Sequence, residues 1–540
     1  MAMAIHIHDA DNVVVLIENV KAGGTVTLNG KQDSYVARED IAKGHKMAIA
    51  AIAEGEEVIK FGVPIGPVTA NVSPGEWISQ HNLLNDAVKR GEEARRRVRE
   101  GQRQILVYPR ADGRFGIRNY VMAISTSPDC NAAAEAISDA TGCTWMCCDR
   151  THLDEGRVST YTRMALSATG CNPNIHSVLV LKADGEKRTA DEVAQFIRKT
   201  GKPVSYLDVT AAGDDAVRQG VALIEGFQAE AAAQKREPRP IEGLTIAMQN
   251  SGSDWTTAIL GNPVNARAMD LLVKDGGCVL WGGGGALLNG IEDLFAEKFA
   301  KRADALKMLD RVEHDREMTL KQTGKPIEYE QPNLVNIVEG ITTLAEKGYY
   351  MLSTVGESPI QGFLQYCEQP PHNGFWNNVG IENGLPPCAG IFGSLQGAHL
   401  HMITTSAGYL YYEIPHTVGI RVTGNEDTFH TPEFRKDFNA GAALREGIPE
   451  TGEKLYQLIL DAAEGKVVTK TEENKQKVFH MWYYVPIAFY EGSDRSKTPP
   501  FYHAIKAAEK KFGEGFQGTG NNVLSQDYTE ALKLYTDRVK

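Results

Sequence analysis

The chain has 540 residues, 42% of them hydrophobic and 23% charged, with a formal net charge of −12. This length exceeds what one hydrophobic core sustains and predicts about two to four domains, while no apolar run reaches the roughly eighteen residues that a membrane span needs. The acidic balance excludes a general nucleic-acid binder, which needs a basic surface to release counterions, but leaves room for a small anion wherever basic groups are concentrated.

The N-terminus, Met1-Ala-Met-Ala-Ile-His-Ile-His8, lacks the basic start and apolar stretch of a secretory signal. Eight cysteines without a disulfide-dense spacing fit a reducing compartment, so a cytoplasmic protein is expected. Cys143, Cys147 and Cys148 do not have the spacing of a zinc pair and are expected to be buried thiols.

From about residue 5 to residue 72, short β-rich runs (12–18, 47–52, 57–61) alternate with turns such as Lys21-Ala-Gly-Gly24 and Glu54-Gly55-Glu56, which predicts a compact β module over residues 1–84. Residues 85–105 are highly charged with hardly any apolar face, so they are expected to form a solvated linker. Strand, loop and helix then alternate over residues 106–240, with strands at 120–126, 177–181 and 204–208 and a long helix over 214–234. Glu237-Pro-Arg-Pro-Ile241 breaks the pattern. It restarts over residues 241–540. Strands are expected at 244–249, 278–281, 349–354, 400–405 and 418–422, and helices at 264–274, 291–321, 334–347 and 452–463. The fold class is therefore α/β: a β module, a linker, and two α/β portions built on mostly parallel sheets.

In an open parallel sheet, ligands bind beyond the carboxyl ends of the strands. Four loops in that position are hydroxyl- or glycine-rich: Ser125 to Cys130, Asn250-Ser-Gly-Ser-Asp254, Gly282 to Gly285, and Thr404-Thr-Ser-Ala-Gly408. Such loops present N–H groups and hydroxyls to an anion, and together they predict a site for a small anionic carboxylate. A helix cap at 250–254 and a plain flexible turn at 282–285 are the structural alternatives. The glycine run has neither a Walker ending nor G-x-G-x-x-G spacing, so no nucleotide cofactor is expected.

His8, His45 and His81 lie in or beside the β module in polar surroundings, where imidazoles can move protons or bind metal. His399 and His401 share one face of a strand, a weak metal signal without a third ligand. Arg110, Arg114 and Arg118 recur every four residues and, with Asn119, could grip a carboxylate in forked fashion. The alternative is an ion-paired turn at a domain junction.

His8-Asp-Ala-Asp-Asn12, Gly44-His45-Lys46, residues 57–66 and Gly75-Glu-Trp-Ile-Ser-Gln-His-Asn82 resemble the β-clip (SAF-type) domain of altronate and galactarate dehydratases. Arg110 to Tyr120 is similar to the motif that opens their main body. Gln249 to Asp254, Gly261-Asn-Pro263, Thr404-Thr405 and Asp437-Phe-Asn-Ala-Gly441 follow in family order. The resemblance implies a lyase that dehydrates a sugar acid or related hydroxy carboxylate, with a Rossmann-like last domain, often dimeric, and acting with a divalent metal such as iron; where the family's cysteines are missing, Mn or Mg are the alternatives expected from this chain's own residues. A sulfo-lyase acting on a sulfonated hydroxy acid and a non-catalytic acid-binding protein are the alternatives.

Family members carry cysteines in four body segments, of which only Cys130 has a counterpart in place here. Their Gln-Cys-Gly-Gly-Ser-Asp pattern reads Gln249-Asn-Ser-Gly-Ser-Asp254, and their Thr-Thr-Gly-Arg-Gly pattern reads Thr404-Thr-Ser-Ala-Gly408. A thiolate-bound metal is not expected from these positions, and any metal would be a hard ion held by oxygen and imidazole. The expected roles are His45 and His81 for acid/base work, delivered as a lid, and Arg110, Arg114, Arg118, Asn119, Ser251, Ser253, Thr404 and Thr405 for substrate contacts. His8, His45, His81 and Asp254 are the expected metal ligands.

Overall fold

The computed structural model describes residues 2–28, 33–100, 102–148, 157–183, 187–250, 253–283, 288–329, 332, 336–337, 339–378, 389–406 and 414–480. It divides into two compact units, Met1–Gln102 and Arg103–Lys540.

In the first unit, six strands form one sheet in the order Ser34–Val36, Thr25–Leu28, Ala2–Ile5, Val13–Leu16, Lys46–Ala48 and Trp77–Ile78. Alternate residues point inward, as the two-residue repeat of a strand requires, burying Ala4, Val14, Leu16, Val26 and Met47. A hairpin of Glu57–Lys60 and Val63–Pro67 stands beside the sheet. Phe61 and Gly62 at its tip both have positive φ, of 61° and 73°. This geometry suits a right-twisted hairpin, and Asp11 supports it by accepting the N–H groups of Phe61 and Gly62 at 3.1 and 2.8 Å.

The charged stretch expected to be a linker is a helix, Ala87–Glu100. Ala, Glu, Lys and Arg are strong helix formers even without an apolar face. Arg90 reinforces the first turns by pairing with Asp86 and with Glu57 of the hairpin.

The second unit contains two all-parallel sheets. The smaller has the order Val204–Asp208, Ile175–Lys182, Tyr120–Ser125, Thr144–Cys147, Val478–His480. The larger has seven strands in the order Ile360–Phe363, Gly374–Asn377, Cys278–Trp281, Thr245–Asn250, Leu400–Thr404, Val418–Thr423, Phe438–Asn439. The strands Thr245–Asn250, Cys278–Trp281, Gly374–Asn377, Leu400–Thr404 and Val418–Thr423 are buried throughout, as expected of a parallel sheet covered on both faces. The proline-broken segment becomes an edge strand, Glu237–Pro240, paired antiparallel with Gln104–Pro109. An edge is where a strand tolerates missing N–H groups.

Three sequence expectations give way here. The predicted helix over 291–321 is two helices, Glu292–Ala296 and Arg302–Thr323. The intervening chain is drawn into backbone pairing with the edge strand, through Ala300 N–H to Ile360 O and Ile360 N–H to Lys298 O. Of the predicted helix over 334–347, residues 334, 335 and 338 lie outside the described residues, 339–343 are not helical, and its end belongs with the predicted strand over 349–354 to one helix, Leu344–Leu352, capped by the Thr343 hydroxyl on Glu346 N–H. Its buried Leu344, Gly348, Met351 and Leu352 follow the helical repeat, which outweighs the β-forming tyrosines.

Candidate active site

The strand order of the larger sheet fixes one place for a ligand. The chain builds outward from Thr245–Asn250 through Cys278–Trp281 on one side, then returns to place Leu400–Thr404 on the other. Beyond the carboxyl ends of these two strands the connections diverge to opposite sides, which opens a crevice. Asn250 and Thr404, the last residues of each strand, are register partners.

The floor of this crevice is buried and polar. Gln249, Asn250, Asp254, Asn262, Asn265, Thr404, Thr405 and Ser406 are each at most 5% exposed. Asp254 organises one wall. Its Oδ1 accepts the Thr256 N–H at 2.8 Å, the Thr256 hydroxyl at 2.6 Å and the Thr257 N–H at 3.2 Å, and its Oδ2 accepts the Asn425 amide at 2.9 Å. Ser406 Oγ lies 3.0 and 3.1 Å from the Thr256 and Thr257 hydroxyls. The chain then makes a π-helical turn, Thr257–Gly261, before the helix Asn262–Lys274. Such turns are frequent at functional sites. Gly261 permits it, since a Cβ there would meet Thr404 Cγ2 at 2.9 Å.

Among the described residues, several buried atoms of this floor have no hydrogen-bond partner: Gln249 Nε2, Asn250 Oδ1, Asn262 Oδ1, Asn265 Oδ1 and Thr405 Oγ1. The Asn262 orientation is set by its amide, which donates to Tyr350 O at 2.6 Å and Ser353 Oγ at 3.1 Å. A buried polar atom without a partner costs about 1–3 kcal/mol. Five in one crevice at a topological switch point indicate groups kept for a ligand with hydroxyl and carbonyl character.

The expected site residues divide. Thr404 and Thr405 line the crevice, and Ser253 borders it, its carbonyl accepting the Asn336 amide at 3.0 Å. Ser251 lies outside the described residues, as do Gly284, Gly285, Ala407 and Gly408 of the expected loops. Asp254 is there too, but as the brace of the wall.

Arg110, Arg114, Arg118 and Asn119 are at the other edge, around the amino ends of the strands. Arg110 donates to Pro173 O, Gln234 Oε1, Arg118 O and Asn119 Oδ1 at 2.7 to 3.1 Å. Arg118 forks onto Glu472 at 2.7 and 3.1 Å and also donates to Ile117 O and Ala462 O. Arg114 pairs with Asp112 and donates to Cys171 O. Asn119 donates to Ala231 O and Gln234 Oε1. These partners correct the substrate-carboxylate expectation: the group clamps a junction, the alternative the sequence left open. Burial pushes the Arg110 guanidinium down to about 10.

In the first unit, Trp77 stands between His45 and His81, with ring centroids 5.1 and 5.2 Å away. The indole N–H donates to His45 Nδ1 at 3.0 Å. His8 Nδ1 accepts the Ala10 N–H at 3.1 Å. Among the described residues no group of three or more His, Cys, Asp or Glu side chains is placed to hold a metal. His399 is likewise committed, accepting the Thr245 N–H and donating to Phe115 O, and burial lowers it to about 4. His401 faces the Thr417 hydroxyl at 2.7 Å.

Sequence reasoning missed Asn262, Asn265 and Lys347. The first two lie three residues apart on the first turn of one helix, a spacing that places them on one face. Lys347 donates to Asn336 Oδ1 at 2.6 Å, and Asn336 in turn holds the Ser253 carbonyl. Burial lowers its ammonium to about 8. Nothing local in the sequence distinguishes this lysine from a surface one.

Three family models match the chain in order. They are the altronate/galactarate dehydratase SAF domain over residues 2–86, the second domain of D-galactarate dehydratase/altronate hydrolase over 107–232, and the C-terminal domain of D-galactarate/altronate dehydratase over 241–487. The chain belongs to the altronate/galactarate dehydratase family. Altronate dehydratase of Escherichia coli (strain K12) is 25% identical over 489 residues, covering 86% of this chain and 95% of that protein. The (2R)-sulfolactate sulfo-lyase subunit beta of Chromohalobacter salexigens is 28% identical over 384 residues, 67% of this chain and 93% of that subunit. Its subunit alpha is 37% identical over 89 residues, 15% of this chain and 95% of that subunit. Membership of the altronate/galactarate dehydratase family makes the chain an enzyme of the hydro-lyase type. No helix among the described residues is long and apolar enough to cross a membrane.

Proposed function

We propose that the chain removes water from a polyhydroxy acid bound in the switch-point crevice. The observation that carries this reading is the set of unpartnered buried amide and hydroxyl atoms of Gln249, Asn250, Asn262, Asn265 and Thr405, whose donors and acceptors match a chain of hydroxyls. In the reaction a base takes the proton alpha to the carboxylate, and the resulting enediolate expels the beta hydroxide. The hydroxide takes up a proton to leave as water, and the enol product tautomerises to a 2-oxo acid. Lys347, tied through Asn336 to the Ser253 carbonyl, is our candidate base, because an amine at about 8 is partly unprotonated near neutral pH. Ser253, Thr404 and Thr405 serve as substrate contacts. His45 and His81 remain candidates for proton or hydrogen-bond work.

No step is routed through a metal, since among the described residues no group of three or more His, Cys, Asp or Glu side chains is placed to hold one. A cytoplasmic homodimer is part of the same proposal; the expected light-scattering mass of the purified protein is twice the chain mass of 59.1 kDa, and a mass of one chain would overturn the dimer.

A second reading, elimination of sulfite from a sulfonated hydroxy acid, draws on the similarity to both sulfo-lyase subunits. Incubation with aldonic, aldaric and sulfonated acids, with separate detection of 2-oxo acid and sulfite, distinguishes the two. Release of 2-oxo acid without sulfite supports dehydration; sulfite release replaces it with the second reading. Binding without turnover of any acid overturns both.

A further inference from the structure

Asn336 and Lys347 meet in a contact whose direction is fixed by chemistry. The Asn336 amide donates to the Ser253 carbonyl at 3.0 Å, and a carbonyl can only accept, so the side chain of Asn336 cannot be turned over. Its Oδ1 therefore faces Lys347 Nζ, at 2.6 Å. An amide oxygen has no proton to give, so it takes an N–H of the lysine and leaves the lone pair of the unprotonated amine directed elsewhere. Both partners are held by their backbones. Asn336 is buried, and its carbonyl accepts the Ile341 N–H at 2.8 Å. Lys347 donates its backbone N–H to Thr343 O at 3.0 Å within the helix Leu344–Leu352. That helix is docked on the crevice floor, because the Tyr350 carbonyl and the Ser353 hydroxyl just beyond it hold the amide of Asn262. Burial lowers the Lys347 ammonium to about 8. Glu346 is turned away to accept the Thr342 N–H at 2.8 Å, and Asp254 is taken up by Thr256, Thr257 and Asn425. Neither these carboxylates nor Glu339 and Tyr350, the other titratable groups on the adjoining segments, add to that lowering.

We propose that Asn336 is a positioning residue: its uncharged oxygen holds the Lys347 amine at the border of the crevice, with the lone pair free for the alpha proton of the substrate. This rests on the reading that Lys347 is the base of the dehydration. A carboxylate in the same place would orient the amine but would favour the ammonium, which is no base. A hydrogen-bond donor there would occupy the lone pair. An amide presented oxygen-first avoids both. In the step itself the alpha C–H bond breaks, its electron pair passes into the enediolate, and the proton joins Nζ. The contact with Asn336 Oδ1 then becomes charge-assisted, roughly twice as strong as a neutral hydrogen bond, so it favours the state after transfer over the state before it.

The test uses the full chain and reads Lys347 in two ways. One is the pH profile of kcat/KM for whichever acid of the aldonic, aldaric and sulfonated panel is turned over. The other is competitive labelling of Lys347 by acetic anhydride across neutral and alkaline pH, followed by mass spectrometry of its peptide, which needs no substrate. Asn336→Asp should move both midpoints up by about one to three pH units and recover activity at alkaline pH, where the amine is again unprotonated. Asn336→Ala should lower kcat about a hundredfold, the effect of a base misplaced by about an ångström, with KM unchanged and no recovery at any pH. A merely structural role would not separate the two variants by pH. Full kcat in a folded Asn336→Ala enzyme overturns the proposal, as do unmoved midpoints in Asn336→Asp. Circular dichroism establishes that each variant is folded, and the Ala variant decides by itself if the Asp variant is not. If the unaltered chain turns over no acid, the dehydration reading fails and takes this role with it, whereas turnover with full kcat in the Ala variant defeats the proposal alone.

Discussion

Asp254 is placed as a brace of the crevice wall, and reversing the polarity of one contact tests that placement. Asp254→Asn can leave its carbonyl oxygen toward Thr256 and Thr257, but its new amide then faces the amide of Asn425, which now donates to Asp254 Oδ2 at 2.9 Å. Two donors lose their acceptor, and a buried donor left unpaired costs about 1–3 kcal/mol. The bonds retained on Oδ1, from the N–H and hydroxyl groups of Thr256 and Thr257, lose their charge assistance, which makes such bonds roughly twice as strong as neutral ones. The sum is a loss of about 3–4 kcal/mol. Asn425→Asp alone sets two carboxylates against each other and is also destabilising. The double variant restores the contact with donor and acceptor exchanged, and the carboxylate introduced at position 425 can still accept the Thr428 N–H that Asn425 accepts now at 3.1 Å. Urea unfolding of the four proteins should give a favourable coupling of about 2 kcal/mol between the substitutions. Strictly additive losses would refute the contact and with it the role of Asp254 as the brace of the wall.

Arg118→Met removes one partner of the half-buried fork onto Glu472 and should lower stability by about 3 kcal/mol or more. KM of the remaining folded enzyme should be unchanged, whereas a role in gripping substrate would raise it. Burial lowers His416 to about 3 from 6.5, so its neutral form is the one the fold accepts. Its contribution is present in full above pH 6.5 and is lost as pH falls toward 3, at about 1.4 kcal/mol per pH unit. His416→Met should therefore flatten the acid loss of stability, followed by urea midpoints at pH 7, 6, 5 and 4, while leaving the midpoint at pH 7 no lower. An unchanged acid slope would contradict a buried neutral ring.

The parallel sheets and the position of the crevice were legible in the sequence, because alternation and small polar loops after the strands suffice to locate them, whichever strands are neighbours. The arginine segment was misplaced for the opposite reason. Arg110 and Arg118 are spaced like a carboxylate grip, but their acceptors, at Pro173, Gln234 and Glu472, are as much as 354 residues away in the chain. The helix Leu344–Leu352 was missed because two tyrosines favour a strand locally, while its capping threonine and the core it covers decide otherwise. Thr404 and Thr405 both line the crevice, yet that only the latter has an unpartnered hydroxyl among the described residues depends on packing against Asn265, whose amide meets Thr404. The charged segment 87–100 shows that a helix can form without an apolar face when propensity and ion pairs suffice.

Thr405→Val provides the most direct test that the crevice is the catalytic site. The substitution keeps the shape of the side chain and removes a buried hydroxyl that has no partner among the described residues. The folded protein should become more stable by about 1 kcal/mol. If that hydroxyl is kept for the substrate, kcat/KM should fall at least about tenfold. Opposite signs are therefore predicted in one variant: a higher unfolding midpoint with lower dehydratase turnover. Unchanged kcat/KM in a folded Thr405→Val enzyme would contradict it.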